Sequence, residues 1–476
     1  MFSCVGFGVS LGLSMTTLRP ENQTADAAAA PGGLLGERGS LRRRAASGLL
    51  LVLLGHGGTQ ALRLGSNLIL TRLLFPEAFG LIALVQVFLQ GLQMFSDVGI
   101  RASIVRSPRG SERSFVDTAW TLQVVRGAGL WLVSLAGAVP FASFYGSPQL
   151  AGLVPVAGLA AVLSGFESSK IALADRNIRL ARTTLLELGS QAISVVAMIT
   201  WAAVWPTVWA LVVGGLVRAA VKMLSSHLLI AGPSNRIHWD RDAARELLGF
   251  GRWVFLATLL TFVLQQGDKM VVGKLIDQAT LGVYGIAVLW SRMAREVGLK
   301  LGGRVMFPAL AEVANKRRHL LRSRYLRARL VFLGALLPAA WGLVVFGDPL
   351  VSLLYDDRYA GAGWMIRILS VGTCGAIISG MSGSVLLAAG DSFRNMILQV
   401  IRGALLLLGM IIGWRSAGLP GLVIGVAVSK VIDYPVVAWA VARHGVWLPA
   451  PDLIGFAATA AIAATGFWLL PPEIPW

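Results

Sequence analysis

Charged residues are scarce in this sequence, and so are the residues that usually bind metals or carry redox chemistry. Of the 476 residues, 14% are charged, five are histidines and two are cysteines. Cys4 and Cys374 form no CxxC motif, the histidines have no metal-ligand spacing, and no GxSxG occurs. We therefore expect no catalytic residues, no metal site and no cofactor, and we predict that the chain is not an enzyme.

A nucleotide-binding loop is also missing. The segment most like a Walker A motif, DKMVVGKL, has Asp268 where the first glycine is needed and Leu275 where Ser or Thr is needed. If the chain is a transporter, an ion gradient or the gradient of its own substrate must drive it.

Apolar residues are abundant instead, at 55% of the chain. A run of about 20 apolar residues is long enough to cross a bilayer. Six such runs precede a charged linker and six follow it, and a thirteenth run covers 453–470. We predict an all-α polytopic membrane protein with these parts: a disordered or mis-started tail (1–44), an N-lobe (45–232), a cytoplasmic linker (233–248), a C-lobe (249–442) and a C-terminal segment with a candidate extra helix (443–476).

The basic residues alternate along the chain. The connections on one side of the predicted bilayer hold 25 Lys and Arg, whereas those on the other side hold 4. Cytoplasmic loops carry such an excess, so this pattern predicts a cytoplasmic N-terminus. It also explains the net charge of +18 without nucleic acid as a partner.

The two halves of the chain resemble each other. A shift of 202 residues places 65–83 over 267–285 without a gap and aligns Gly80 with Gly282 and Arg72 with Lys274. An even number of helices per half predicts parallel repeats about an axis normal to the membrane, with a cleft between two lobes.

Four segments in this order resemble the polysaccharide transporter family, the Wzx-type oligosaccharide flippases of the multidrug/oligosaccharidyl-lipid/polysaccharide exporter superfamily. They are TRLLFPEAFGLIALVQVFLQGLQMFSDVGIRASIVR, QQGDKMVVGKLIDQATLGVYGIAVLWSR, MFPALAEV and FGDPLVSLLYDDRYAGAGWMIRIL. The resemblance implies a V-shaped molecule of two six-helix lobes in a bacterial inner membrane. It also implies export of a polyprenyl-pyrophosphate-linked oligosaccharide for O-antigen, capsule or exopolysaccharide, with a polysaccharide polymerase and glycosyltransferases as candidate partners.

Charges inside the apolar runs are the candidate functional residues. Twelve basic and five acidic residues lie there, and a charge that faces lipid at mid-bilayer is costly, so we expect these side chains to face a wet cavity or each other. On the eighth run, Arg292, Glu296 and Lys300 share one stripe of the helix, where Glu296 can also neutralise its neighbours. The predicted cationic cavity is formed by Arg126, Arg218, Arg292, Arg295, Lys300 and Arg402.

Other charged residues have two interpretations each. Asp97, Asp268 and Lys269 are candidates for a gate or for ion coupling, or for local hydrogen bonding alone. Lys430 and Asp433 are spaced as a self-neutralising pair. Basic residues nearer the ends of runs are expected to snorkel to an interface. These are Arg304, Lys222, Lys269 and Arg367.

Three other functions remain open from the residues alone. A polysaccharide polymerase or ligase has a similar number of spans, but the outer connections here are short. A multidrug-type exporter is disfavoured by the positive interior, whereas a peptidoglycan-precursor flippase has a substrate with the same pyrophosphate group. A scaffold or receptor would not need twelve bases within lipid.

Overall fold

The chain is mainly helical in the part that this computed structural model describes, namely residues 55, 57–96, 99–176, 180–301, 321–388 and 391–474. No strand occurs in those ranges. The predicted tail 1–44 lies outside the described residues. The helices are α1 (57–73), α2 (Pro76–Phe95), α3 (Ile100–Arg106), α4 (Arg113–Tyr145), α5 (Gln149–Gly165), α6 (Lys170–Arg176), α7 (Leu180–Val204), α8 (Trp209–Leu228), α9 (Arg241–Leu275), α10 (Gln278–Leu301), α11 (Leu321–Leu354), α12 (Ala362–Ser379), α13 (Ser382–Ala388), α14 (Ser392–Ile432), α15 (Tyr434–Ala442) and α16 (Pro449–Leu469).

Within the described residues, eight helical segments are long and apolar enough to cross a bilayer, or nine if the bent pair α5 and α6 is one span. The chain is therefore a multi-pass membrane protein, which confirms the predicted class. The count of twelve spans stays a prediction. The thirteenth run, left open by the sequence, forms α16, which is one of the eight.

The long helix α14 is a hairpin rather than one rod. Its backbone leaves helical geometry at Ala417 and at Gly418, where φ is +59°. The two arms then pack face to face. A Cβ added at Gly413 would lie 2.0 Å from the carbonyl oxygen of Gly421, and one at Gly425 would lie 1.9 Å from that of Gly409. Small residues allow this close approach, so the GxxxG spacing of the second arm marks a real helix crossing.

The additional helix α16 runs parallel to α11 and is held at both ends and in the middle. Near its start, Arg329 Nε donates to Asp452 Oδ1 at 2.7 Å, with both side chains buried. At its middle, Trp341 Nε1 donates to Thr459 Oγ1 at 3.0 Å. Arg329 falls in a loop by sequence, whereas the structure places it inside α11.

Two residues that the sequence predicts to snorkel are bonded within the protein instead. Arg367 on α12 is fully buried, and its guanidinium donates to Asp348 Oδ2 at 2.7 Å and to the carbonyl of Gly466 at 2.9 Å. Lys222 Nζ lies 2.9 Å from Glu167 Oε2. The prediction for Arg367 is therefore wrong, because polar partners on neighbouring helices satisfy it inside the bundle.

Helices α2 and α10 make a reciprocal contact between the two halves. A Cβ added at Gly80 would lie 1.9 Å from the carbonyl oxygen of Gln278, and one at Gly282 would lie 2.0 Å from that of Pro76. The 202-residue shift found in the sequence maps Gly80 onto Gly282 and Pro76 onto Gln278, so it converts one contact into the other. A two-fold axis between equivalent elements produces this pattern of contacts, which supports the parallel repeat.

The linker between the halves is attached to the first turns of α4. The backbone N–H groups of Arg236, His238 and Asp240 donate to side-chain oxygens of Asp117, Thr121 and Thr118 at 3.0–3.2 Å. Helix α9 begins at Arg241, so the last eight residues of the predicted linker 233–248 are already helical. Asp240 caps α9 by accepting from the N–H of Asp242 at 2.9 Å, which lowers the pKa of the Asp240 carboxyl below its ordinary value.

Candidate functional site

Six basic and three acidic side chains from four helices lie close enough to influence each other, and we call them the central charge cluster. Three positive charges remain after the acids are counted. All of its members lie on these helices except Asp433, which occupies the turn between α14 and α15. The cluster comprises Arg63 on α1, Asp268 and Lys269 on α9, Arg292, Arg295 and Glu296 on α10, Arg402 and Lys430 on α14, and Asp433 directly after α14.

Arg292 is paired with a carboxylate on the adjacent helix. Its guanidinium forms an ion pair with Asp268, which is fully buried and also accepts from the hydroxyl of Tyr284 at 3.3 Å. Arg292 Nη1 donates to the carbonyl of Gln265 at 3.3 Å. The partner is therefore Asp268 rather than Glu296, which accepts from Gln60 Nε2 at 3.1 Å.

Arg402 has a similar arrangement near the second arm of the hairpin. Its Nε donates to Asp433 Oδ2 at 2.6 Å, and Ser379 Oγ donates to Asp433 Oδ1 at 3.1 Å. Asp433 thus forms an ion pair with Arg402, and the predicted pair of Asp433 with Lys430 is not formed. The charges that act on Lys430 are those of Arg292, Arg295 and Asp268.

The remaining positive charge of the cluster stays accessible. Arg295 has an exposed side chain, and Lys269 and Lys430 are partly exposed, although all three lie along helices that pack against others. Among the described residues, no hydrogen bond joins these three side-chain cations to a carboxylate. They differ in this respect from Arg292 and Arg402, and they can accept an anionic group without breaking an existing pair.

Arg126 and Arg218, the other two predicted cavity residues that can be located, lie in the N-terminal half. Arg126 connects α4 to the end of α2 by donating to Ser96 Oγ at 2.9 Å and to the carbonyl of Gln93 at 2.7 Å. Arg218 on α8 is partly buried, and the charges that act on it include Glu187 and Arg63.

The structure does not describe the side chains of two predicted site residues. Asp97 lies outside the described residues. Lys300 occupies the last turn of α10, but its side chain also lies outside the described part.

Sequence reasoning missed Arg63 as a site residue. Its Nε is buried without a hydrogen bond among the described residues, and its charge acts on both Lys269 and Arg218. It is therefore the member of the central charge cluster whose charge also acts on a basic residue of the N-terminal half, Arg218. A signal was present, because Arg63 lies well inside the first apolar run, where a cation needs a polar partner.

The two halves are closely joined at the face that bears loops 146–148 and 276–277, which we call the sealed face. Tyr355 is central to it: Trp290 Nε1 donates to its hydroxyl at 2.8 Å, and this hydroxyl donates to Asn67 Oδ1 at 2.9 Å. Gln278 Nε2 donates to Ser147 Oγ at 2.5 Å.

Backbone carbonyls take part in the same seal. The hydroxyl of Tyr359 donates to the carbonyl of Leu74 at 3.1 Å, and Lys274 Nζ donates to the carbonyl of Phe144. Each of these bonds connects residues more than 100 positions apart, from opposite halves of the chain.

A family profile described as "Polysaccharide biosynthesis protein" matches residues 69–363. The lipopolysaccharide biosynthesis protein WzxC of Escherichia coli (strain K12) is 23% identical over 376 residues, which is 77% of this chain and 74% of that protein. The succinoglycan biosynthesis transport protein ExoT of Rhizobium meliloti (strain 1021) is 21% identical over 67% of this chain and 64% of its own length.

Solved structures share the fold at lower identity. The lipid II flippase MurJ in an inward closed conformation has a TM-score of 0.67 and 13% identity, over 89% of this chain and 94% of MurJ. An inward-facing multidrug resistance transporter of the MATE family and MOP superfamily has a TM-score of 0.63 and 14% identity, over 84% of this chain and 94% of the transporter. These matches confirm the transporter fold expected from the sequence.

Proposed function

Because this chain belongs to the polysaccharide biosynthesis protein family, we propose that it is a secondary transporter that flips a polyprenyl-pyrophosphate-linked oligosaccharide across the inner membrane. The relatives are named as transport or biosynthesis proteins for lipopolysaccharide and succinoglycan, and one structural neighbour is a lipid flippase. These names agree with the prediction that the chain is not an enzyme.

The observation that carries the proposal is the residual positive charge of the central charge cluster. Arg295, Lys269 and Lys430 are accessible, and the paired cations Arg292 and Arg402 lie beside them. A pyrophosphate carries several negative charges, and arginine and lysine at low dielectric bind phosphate oxygens strongly. The positive charge of this site therefore suits the headgroup of a lipid-linked sugar better than the cations that many multidrug exporters carry.

The proposed transport cycle uses the two halves as lobes, 45–232 and 249–442, joined by the linker. The sealed face corresponds to the outer leaflet if the N-terminus is cytoplasmic, as the basic loops predict. The substrate would then enter from the cytoplasmic side and occupy the cluster. Separation of the lobes at the sealed face would release it outward, while the prenyl tail stays in lipid.

In this proposal the glycan is made and used by other proteins. Glycosyltransferases would supply the lipid-linked oligosaccharide, and a polymerase would consume it at the outer leaflet. A peptidoglycan-precursor flippase is the alternative with the same pyrophosphate chemistry, and the experiment below separates the two by the glycan that accumulates.

The experiment replaces the accessible cations in cells that lack the native gene. Arg295→Gln and Lys430→Gln each remove one positive charge without leaving a paired carboxylate behind, so we expect normal protein levels. In the double variant, surface polysaccharide is expected to fall about tenfold or more. The lipid-linked precursor should then accumulate on the inner leaflet. The matched control is Arg415→Gln, which changes an exposed residue next to the turn of the α14 hairpin. Normal export by the double variant would remove the cluster from the mechanism.

A further inference from the structure

The segment that joins the halves carries an unusual surface for a loop. Ile237 and Trp239 expose 81% and 52% of their area, and Leu248 on the first turns of α9 exposes 48%. Arg236, Arg241 and Arg245 are exposed on the same segment. Trp239, Arg241, Arg245 and Leu248 line one shallow depression together with Ala244. Apolar, aromatic and cationic side chains thus alternate over a small area, which we call the linker surface.

The acids of this segment do not cancel the arginines of the linker surface. Asp240 and Glu246 lie against Arg109, at 3.1 and 3.9 Å. Only Asp242 remains among the outward side chains, and it lies 3.5 Å from Arg245. Three arginines against one aspartate leave two positive charges that face away from the protein.

The linker surface is held rigidly at a defined depth. The N–H of His238 donates to Thr121 Oγ1 at 3.0 Å, on α4. Thr121 precedes the end of α4 at Tyr145 by 24 residues, which corresponds to about 36 Å of helix. The hydrocarbon core is about 30 Å thick and the whole bilayer about 40–45 Å. If Tyr145 lies near one boundary of the core, the linker surface lies in the headgroup layer of the other.

The end of the preceding span agrees with this depth. Leu228 is the last residue of α8 and Leu229 follows it, and they expose 80% and 65% of their area. Such leucines are stable where hydrocarbon still covers them, and tryptophan is enriched at the boundary itself. The chain therefore leaves hydrocarbon after Leu229, and Trp239 follows ten residues later, between Arg236 and Arg241.

We propose that the linker surface binds anionic phospholipids of the leaflet that it faces. The arginines bind the phosphate groups, Trp239 lies at the boundary, and Ile237 and Leu248 enter the acyl region. Because the linker connects the two halves, an anionic lipid bound here would anchor the point about which they move. This inference depends on the multi-pass fold and not on the identity of the transported substrate.

The test uses the full-length protein purified in detergent and titrated with dioleoyl-phosphatidylglycerol or dioleoyl-phosphatidylcholine, with bound lipid measured by native mass spectrometry. A basic residue near an anionic surface contributes about 1 kcal/mol, so Arg241→Gln together with Arg245→Gln is expected to lower the preference for the anionic lipid by about 20- to 30-fold. Trp239→Ala is expected to weaken the binding of both lipids to a similar extent.

The matched control removes two exposed arginines from the opposite face, with Arg72→Gln and Arg415→Gln. This variant is expected to keep the preference of the unmodified protein. Equal affinity of the unmodified protein for the two lipids, or an unchanged preference in the Arg241 and Arg245 variant, would overturn the proposal. Either result would leave the flippase proposal untouched, because export is measured separately.

Discussion

At the scale of single residues, the sequence shows which charges fall within apolar runs but not which partner each one has. Arg292 was found from its depth in an apolar run, whereas its partner Asp268 lies 24 positions away on another helix. Spacing along one helix can suggest only neighbours such as Glu296. The same limit explains Asp433, whose partner is Arg402 and not the nearby Lys430. Pairing across helices depends on packing that a single sequence does not reveal.

The Arg292 pair allows a test that separates structural from substrate-binding roles. Arg292→Gln leaves Asp268 charged and buried, and breaking a buried pair in this way costs about 3–5 kcal/mol. We expect a markedly lower unfolding temperature in detergent, measured by fluorescence-detected size-exclusion chromatography after heating. Adding Asp268→Asn to this variant should restore most of the loss, and Arg295→Gln alone should unfold like the unmodified protein. A double variant no more stable than the single one would contradict the assignment.

At the scale of helices, the periodic apolar runs predicted most elements, since length and composition alone decide whether a segment can cross a bilayer. The last two of the twelve apolar runs cover 395–414 and 417–440 in the sequence, and they correspond to the two arms of the α14 hairpin and α15. The repeat also appeared in the sequence, because Gly80 and Gly282 align under one shift. Their contacts were not predictable, since the alignment does not say which equivalent helices touch at the axis.

The crossing of α2 and α10 predicts that stability and export are unusually sensitive to substitution of two glycines. Gly80→Ala or Gly282→Ala places a methyl group about 2 Å from a backbone carbonyl, which cannot move aside as a side chain can. We expect each variant to separate the helices, lower the unfolding temperature and reduce export.

Gly285→Ala on the same helix is the matched control, because no atom lies within 4 Å of its added methyl group. Alanine also favours helix over glycine, so this control should be neutral or slightly stabilising. Stable and fully active Gly80 and Gly282 variants would show that the helices do not need this contact.

At the scale of the whole molecule, the sequence predicted two halves and a cleft, but it did not identify the contacts that close one face. Tyr355 and Asn67 are 288 positions apart, and Gln278 and Ser147 are 131 apart. In the sequence, the segment with Tyr355 and Tyr359 shows only a resemblance to a family. Its role as a seal depends on how the halves meet, and no local pattern encodes that.

The sealed face should have to open during transport, and this can be tested by locking it. Cysteines at positions 147 and 278, in a background with Cys4→Ala and Cys374→Ala, place two thiols across the contact between the halves. A short bifunctional thiol reagent that joins the two cysteines should then stop export. If the reagent contains a disulfide bond, reduction of that bond should restore export. Each single-cysteine variant treated in the same way is the control. Continued export by the cross-linked protein would contradict the proposed opening.

The parallel course of α11 and α16 has a practical consequence for labelling. Residues 443–448 precede α16 and residues 470–474 follow it, so the two short segments are expected in different compartments. A reporter enzyme fused after Gly445 and one fused after Pro472 should give opposite readings. Under a cytoplasmic N-terminus, a fluorescent tag that matures only in the cytoplasm should therefore be inserted before this helix rather than behind it.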